Sequence, residues 1–457
     1  MRTILSLNLQ EQKQSQILDN TLGICSICHK IVLAQIVERV GKIFIEKKCC
    51  KQESLLIEND AGFYKEAILP FKWKLEYIKE GMNNGNLELR IKMLEDAPSV
   101  CLYITAFCSL NCPICYLKFN TVNLLNDPKV HKSLDSLIFI FRRLKPKYFS
   151  IAGGEPTIHK DLPKIIKSAR KFGHMVGIAT NGLRLVDKKY LECLKNAGIN
   201  NVLLSFDSLL NNKVYEKLRG VRLLRLKYMA LKNLKELKVD TWIYMVVKRG
   251  LNEDEIGDMV RFAAYNNDFI KGITFEILEE ENPSYEKKIT PSDIYKIIEN
   301  EFKIDIKTFI EEKKFRFGTY TFIGKIFGGN IQKKFLFLRD DTFYFDVTNK
   351  KIKPLILMKE YKKMNEVLER SQNERSKIKA ILTLFKYFKV FLNSGTRRLF
   401  KIFLTGRFNY IEASMKTNSE NSILRMKVGN LIIDKYEDIN RKNTIETLGI
   451  CNVITPL

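Results

Sequence analysis

Three cysteines stand close together in the stretch Cys108-Ser-Leu-Asn-Cys112-Pro-Ile-Cys115-Tyr116. Thiolates spaced C-x3-C-x2-C can reach three irons of a cubane, because soft sulfur donors suit iron–sulfur clusters. A fourth iron without a cysteine would keep an open coordination position. That position can chelate the amino and carboxylate groups of S-adenosylmethionine (SAM), and the cluster can then pass an electron into the sulfonium. The same residues could instead hold zinc through three thiolates, or remain buried free thiols.

Four further polar constellations follow. The first is Ile151-Ala-Gly153-Gly154-Glu155-Pro156-Thr157. Its glycines allow close backbone approach to a ligand, and Glu155 can accept a hydrogen bond from an ammonium group. The others are Thr180-Asn181-Gly182, Ser205-Phe-Asp207-Ser208 and Val247-Lys248-Arg249-Gly250-Leu-Asn252. Nearer the N-terminus, Cys25-Ser-Ile-Cys28 precedes Cys49-Cys50 by a hairpin-sized gap. Two cysteine pairs so separated suit a knuckle that holds one zinc or iron. The adjacency of Cys49 and Cys50 departs from the usual second pair and leaves the fourth ligand open, with His29 as a substitute.

The elements that must position these residues are legible as alternating patterns. Strands are expected at Val100–Phe107, Lys147–Ala152, His174–Thr180, Asn201–Phe206, Thr241–Val247 and Gly272–Leu278. Helical patterns are expected at Asp127–Leu144, Asp161–Phe172, Asp187–Ala197, Asn212–Leu237 and Glu253–Tyr265. Parallel strands need crossover helices, so this alternation argues for a parallel sheet. The five constellations from Cys108 to Asn252 then all fall at the carboxyl ends of successive strands, the face that carries chemistry in such folds. Before this core, KIVLAQIVERV and KIFIEKK read as a hairpin around Gly41. After it, Lys314–Thr348 reads as β-rich and Lys359–Tyr410 as helical and basic. The expected fold class is α/β: a partial (β/α)6 TIM-like barrel over 98–285, a small Cys-rich N-terminal domain over 1–97, and an α+β C-terminal domain over 286–457.

The cysteine spacing, Ile114, Tyr116 and the Gly-Gly-Glu-Pro turn together resemble the radical SAM superfamily. The resemblance implies a 4Fe-4S cluster on Cys108, Cys112 and Cys115 and SAM as cofactor. It implies that Gly153, Gly154 and Glu155 hold the methionine moiety, that Thr180 and Asn181 line the cofactor pocket with Tyr116 beside it, that Ser205 and Asp207 lie near the ribose, and that the Lys248–Asn252 segment lies near the methionine carboxylate. A finer resemblance rests on the N-terminal knuckle, TNGLRL, VYEKLRG, VVKRGLNEDEIGDMVRFA and a basic C-terminal region. This layout is similar to the archaeal tetraether lipid synthase-like family, which joins unactivated lipid carbons and some of whose relatives are described as pterin methyltransferases. The chain departs from that family in one respect: after the core its only cysteine is Cys451, so a C-terminal auxiliary cluster is not expected. The expected function is hydrogen abstraction from a lipid or other long-chain substrate, ending in C–C bond formation or methylation. The alternative is a radical SAM maturase of a peptide or cofactor precursor.

The 77 Lys and Arg against 52 Asp and Glu leave a net charge of +25 among 457 residues. Such an excess suits an anionic partner or reflects a lysine-rich composition. No nucleic-acid module stands out, so nucleic acid is not expected. The chemistry implies a reductant such as ferredoxin or flavodoxin. Within Lys377–Leu392, Ile378, Ile381, Leu382, Phe385, Phe388 and Leu392 share one helical face among lysines, the pattern of a helix lying on an anionic membrane surface, or of one packed on the core. No apolar run spans a bilayer and no secretory signal opens the chain. A cytoplasmic location is expected, with peripheral membrane attachment open. His159 reads as a helix-entry contact, and Cys101 and Cys193 as buried apolar residues.

Overall fold

The structure is a computed structural model that describes residues 15–25, 27–28, 31–71, 99–115, 132–144, 146, 148–278, 288–329, 342–393, 395–398 and 423–430. His29, Tyr116, His131 and Cys451 lie outside these residues.

Four antiparallel strands open the chain: β1 (Gln16–Ile24), β2 (Ile31–Arg39), β3 (Lys42–Lys48) and β4 (Gln52–Glu58). The expected hairpin is β2–β3. Val40 and Gly41 both have positive φ, 48° and 70°, the conformation of a two-residue turn whose twist matches its strands. Ala34, Ile36, Ile43 and Ile45 bury one face of this sheet against Ala61 and Tyr64.

Six parallel strands follow in sequential order: β5 (Ser99–Tyr103), β6 (Tyr148–Ala152), β7 (Met175–Thr180), β8 (Asn201–Ser205), β9 (Asp240–Val247) and β10 (Ile270–Ile277). They match the expected strands to within a few residues, and their pairing is parallel throughout. All eight residues of β10 are buried, as a strand covered on both faces requires. Between the strands run α1 (Leu134–Arg143), α2 (Leu162–Lys171), α3 (Lys188–Asn196), α4 (Asn212–Arg219), α5 (Leu224–Glu236) and α6 (Ile256–Tyr265). The single helix expected over Asn212–Leu237 is two. Gly220 ends α4 in the left-handed conformation, φ 80°, which terminates a helix at little cost only for glycine.

Beyond the core come α7 (Pro291–Phe302) and α8 (Ile306–Phe327). The second overturns the β-rich expectation over 314–327; of the rest of that stretch, 330–341 lies outside the described residues and 342–346 is a strand. Phe309, Glu312, Arg316, Tyr320 and Ile326 are buried along one side of α8, a helical stripe hidden in the sequence by the dense aromatics around it. Three more strands widen the core sheet: β11 (Thr342–Asp346), β12 (Lys353–Pro354) and β13 (Ile423–Asn430), with β13 parallel to β10 and β11 antiparallel to β13. Between β12 and β13 lie α9 (Met358–Asn373) and α10 (Lys377–Lys386). The N-terminal sheet is tied to α7 through buried Glu58, which accepts from Thr290 Oγ1 at 2.7 Å and from Ser292 Oγ at 2.5 Å. Among the described residues no helix is long and apolar enough to cross a membrane.

Candidate active site

The carboxyl edge of the parallel sheet collects the polar constellations. The cluster loop leaves β5, and the turn after β6 is clamped to it. Gly154 N donates to Thr105 O at 2.8 Å and Glu155 N to Phe107 O at 2.7 Å. Here the glycine pair earns its place against protein, where sequence alone suggested a ligand. A Cβ on Gly153 would meet Thr105 O at 2.3 Å, and one on Gly154 would meet Phe107 O at 2.2 Å. Both obstacles are backbone and cannot swing away. Gly154→Ala is therefore expected to destabilise the protein by about 1–3 kcal/mol and to push the β6 turn off the cluster loop. Thermal melts and iron content after reconstitution, side by side with wild type, check both effects.

Glu155 is buried and works as a hub. Its carboxylate accepts from Thr157 N at 3.1 Å, Thr157 Oγ1 at 2.6 Å, Thr180 Oγ1 at 2.6 Å and Asn181 N at 2.7 Å. It thereby joins the ends of β6 and β7. Asp207 is equally committed: Arg219 donates to both of its oxygens at 2.8 Å, and Val246 N donates at 3.1 Å. Asn252, fully buried, bonds the carbonyls of Asp207 and Val246 through Nδ2 at 2.9 and 2.8 Å, pinning the end of β9 beside that of β8. Arg249 turns away to Asp293 at 2.7 Å. His159 is the expected helix-entry contact. Its Nδ1 accepts from Asp161 N at 3.2 Å, so Nε2 carries the proton given to Lys132 O at 3.0 Å. Burial lowers its pKa. Cys193 is exposed, against expectation, and Cys101 is half-buried.

Cys108, Cys112 and Cys115 are all partly exposed on one short loop, where Cys115 N bonds Cys112 O at 3.0 Å. Burial pushes the Cys108 thiol up to about 11. Burial also raises Cys112, opposed by the adjacent Arg219 guanidinium. Arg219 and Lys227 are functional-site residues that motif reading missed. Lys227 is buried, and its ammonium donates to Asn181 O at 2.6 Å and Ser205 O at 2.5 Å, holding the ends of β7 and β8 together. Its signal was available, because Lys227 occupies the buried stripe of α5 with Ala230, Leu231 and Leu234. Burial lowers its pKa to about 8, partly offset by the attraction of Asp207. An unfolded lysine titrates near about 10.4. Between the two values the unfolded chain binds more protons, so this residue makes stability rise with pH across that window. Urea melts at several pH values within it are expected to show the rise in wild type and its loss in Lys227→Met.

The residues fit a cluster with SAM on two observations. The three thiols are soft donors on one loop beside a cation. Two buried polar atoms at the neighbouring strand ends, Asn181 Nδ2 and Ser205 Oγ, lack a hydrogen-bond partner. Buried polar groups are seldom left so, and a polar ligand at the rim would satisfy them.

The four N-terminal cysteines form a group that could hold a metal ion, while His29 lies outside the described residues. The sulfurs of Cys25, Cys28, Cys49 and Cys50 all lie within 4.8 Å of one another, and those of Cys28 and Cys49 are 3.6 Å apart. Tetrahedral zinc with Zn–S near 2.3 Å places its sulfurs about 3.8 Å apart. Backbone N–H groups of Cys28, Cys50 and Ile27 pull the Cys25 thiol down to about 6, while Cys50 is pushed up to about 12. One bound metal per chain is expected here. A strong chelator should release it and lower the melting temperature, since binding to a preformed site adds to folding stability; a colorimetric zinc assay with parallel melts checks this.

A parallel sheet whose carboxyl edge carries a three-cysteine loop clamped by a Gly-Gly-Glu-Pro turn defines a cluster-bearing α/β enzyme core. Residues 102–263 match the family described as "Radical SAM superfamily", so this core is a radical SAM domain. Residues 17–51 match the "HMPTM N-terminal zinc ribbon domain". Among curated proteins, the 7,8-dihydro-6-hydroxymethylpterin dimethyltransferase of Methanocaldococcus jannaschii is 32% identical over 295 residues, covering 62% of this chain and 58% of that protein. The GTP 3′,8-cyclase of Aquifex aeolicus is 28% identical over 211 residues, covering 44% of this chain and 63% of that protein. The chain thus spans less than two thirds of the length of either relative. Of the solved structures, Streptococcus suis SuiB bound to S-adenosylmethionine aligns with a TM-score of 0.37 at 19% identity, over 57% of this chain and 66% of that one.

Proposed function

We propose that the protein is a radical SAM enzyme that modifies a carbon of a dihydropterin, most simply by methylation. The observation that carries the reading is the pairing, in one chain, of a zinc-ribbon match at 17–51 with a radical SAM match at 102–263. The relative named as a pterin dimethyltransferase supports it. This substrate belongs to the cofactor-precursor alternative drawn from the sequence, rather than to the lipid.

When bound, the 4Fe-4S cluster and SAM supply a reductive cleavage to methionine and a 5′-deoxyadenosyl radical that takes a hydrogen atom from substrate. Cys108, Cys112 and Cys115 would hold the cluster. Asn181 Nδ2 offers a donor, and Ser205 Oγ a hydroxyl, to the polar groups of SAM. Glu155, Lys227 and Asn252 fix the strand ends that present them.

The test is anaerobic turnover with SAM, a chemical reductant and ring-deuterated 6-hydroxymethyl-7,8-dihydropterin. Deuterium in the 5′-deoxyadenosine, and stimulation of its formation by the pterin, are expected. Product that forms at the same rate without pterin and carries no deuterium would sink this substrate class.

A second reading, a lipid or other long-chain substrate, is favoured by one surface. On α10, Ile381 and Leu384 pack inward, while Ile378, Leu382 and Phe385 are 72%, 60% and 69% exposed beside Lys379 and Lys386. Such a face suits an anionic bilayer surface. Sedimentation with anionic vesicles separates it from the pterin reading. Neither of the curated relatives described above acts by name on a lipid.

A further inference from the structure

One-electron chemistry at a site held by Cys108, Cys112 and Cys115 needs an electron from outside the chain. The surface beside those cysteines is built as follows. Helix α4 packs onto the cluster loop: Val214 and Leu218 are buried with Ile114 against them. At its end Arg219 is bonded to Asp207 at 2.8 Å and lies beside Cys112. The next residue, Gly220, lies against the loop so closely that a Cβ there would be 3.5 Å from both Asn111 O and Pro113 Cδ. The outer side of this junction is open among the described residues. Asn111, Pro113 and Gly220 are exposed, and Val221, Leu226 and Met229 add exposed apolar surface. Exposed cations lie on the two helices that flank Gly220 and on the link between them: Lys213, Lys217, Arg222 and Arg225. Glu216, paired with Arg222 at 3.3 Å, is the single acid between Ser208 and Lys235.

An apolar centre with a charged rim is the anatomy of a transient protein interface, and a rim of one sign selects a partner of the other. We propose that this face, formed by Asn111, Pro113, Val221 and Leu226 and rimmed by Lys217, Arg222 and Arg225, docks a small acidic one-electron carrier protein. One electron leaves the reduced carrier and enters the site held by the three cysteines. No bond is made or broken at the interface. The inference rests on the radical SAM reading of the site, and rim charges act chiefly on encounter rate and salt dependence.

The probe is a reduced acidic flavodoxin. The variant is Lys217→Glu/Arg222→Glu/Arg225→Glu. The control, Lys359→Glu/Lys362→Glu/Lys363→Glu, makes the same charge change on exposed positions of α9. Flavodoxin binding at low salt is expected to weaken by about tenfold or more in the first variant and to change little in the control. Flavodoxin-driven 5′-deoxyadenosine formation should fall by a similar factor, while dithionite-driven formation stays within about twofold of wild type. Equal flavodoxin binding by wild type and variant, or an equal loss in the control, overturns the docking face. Absence of dithionite-driven product in wild type would instead count against the radical reading, and the binding comparison would still decide the surface.

Discussion

A Cys112→Ala protein, reconstituted anaerobically with iron and sulfide, is expected to bind little iron and to release no 5′-deoxyadenosine above a no-enzyme control. The reason lies in how few donors the loop offers. Three thiols must serve three irons, and no other cysteine among the described residues sits beside them. Burial holds Cys108 and Cys112 as thiols in the free protein, so a metal must displace their protons, and that exchange is favourable only when the ligand set is complete. Cys112 also lies beside the Arg219 guanidinium, whose charge favours its thiolate. Cys193→Ala, at an exposed thiol on α3, should retain wild-type iron and product, which separates ligation from general thiol chemistry. Wild-type iron content in Cys112→Ala would refute the assignment of the cluster loop.

Much of this site was legible because its geometry is local. The C-x3-C-x2-C spacing, the Gly-Gly-Glu-Pro turn and the polar ends of β7, β8 and β9 each occupy a few adjacent residues, and the β–α rhythm places them on one edge. The β2–β3 hairpin was equally readable, because Gly41 supplies the positive φ its turn demands. What escaped reading depends on contacts distant in sequence. Whether Cys49 and Cys50 could both join Cys25 and Cys28 is decided by the register of β3 and β4. That Gly153 and Gly154 face Thr105 and Phe107 follows from the packing of one strand end on another. Helix α8 reads as β structure because Phe315 and Phe317, then Tyr320 and Phe322, are spaced two apart like the residues on one face of a strand, and only its packing against α9 shows which side is core. Lys227 was passed over because a lysine in a helix is ordinarily solvated; here two backbone carbonyls and the nearby Asp207 make its burial tolerable.

Asp207→Ala is expected to be the most destabilising single change at the strand edge. Asp207 is fully buried, and the Arg219 side chain is only 15% exposed. Removing one partner of such a pair leaves the other charge uncompensated, at a cost of about 3–5 kcal/mol. Arg219→Met should cost less, because Val246 N still donates to the Asp207 carboxylate. The double variant Asp207→Ala/Arg219→Met should recover part of the loss, since no lone charge remains. Urea melts of the four proteins in a double-mutant cycle would measure the coupling, and strict additivity would show that the two residues do not act as a pair. Stability is only half of the expected effect. Arg219 reaches Cys112 while Asp207 is bonded to the ends of both β8 and β9, so the pair is the link by which the sheet edge positions the cluster loop. The double variant is therefore expected to fold yet bind iron less well than wild type. Full recovery of iron binding together with stability would mean that the Arg219–Cys112 contact plays no part in holding the loop.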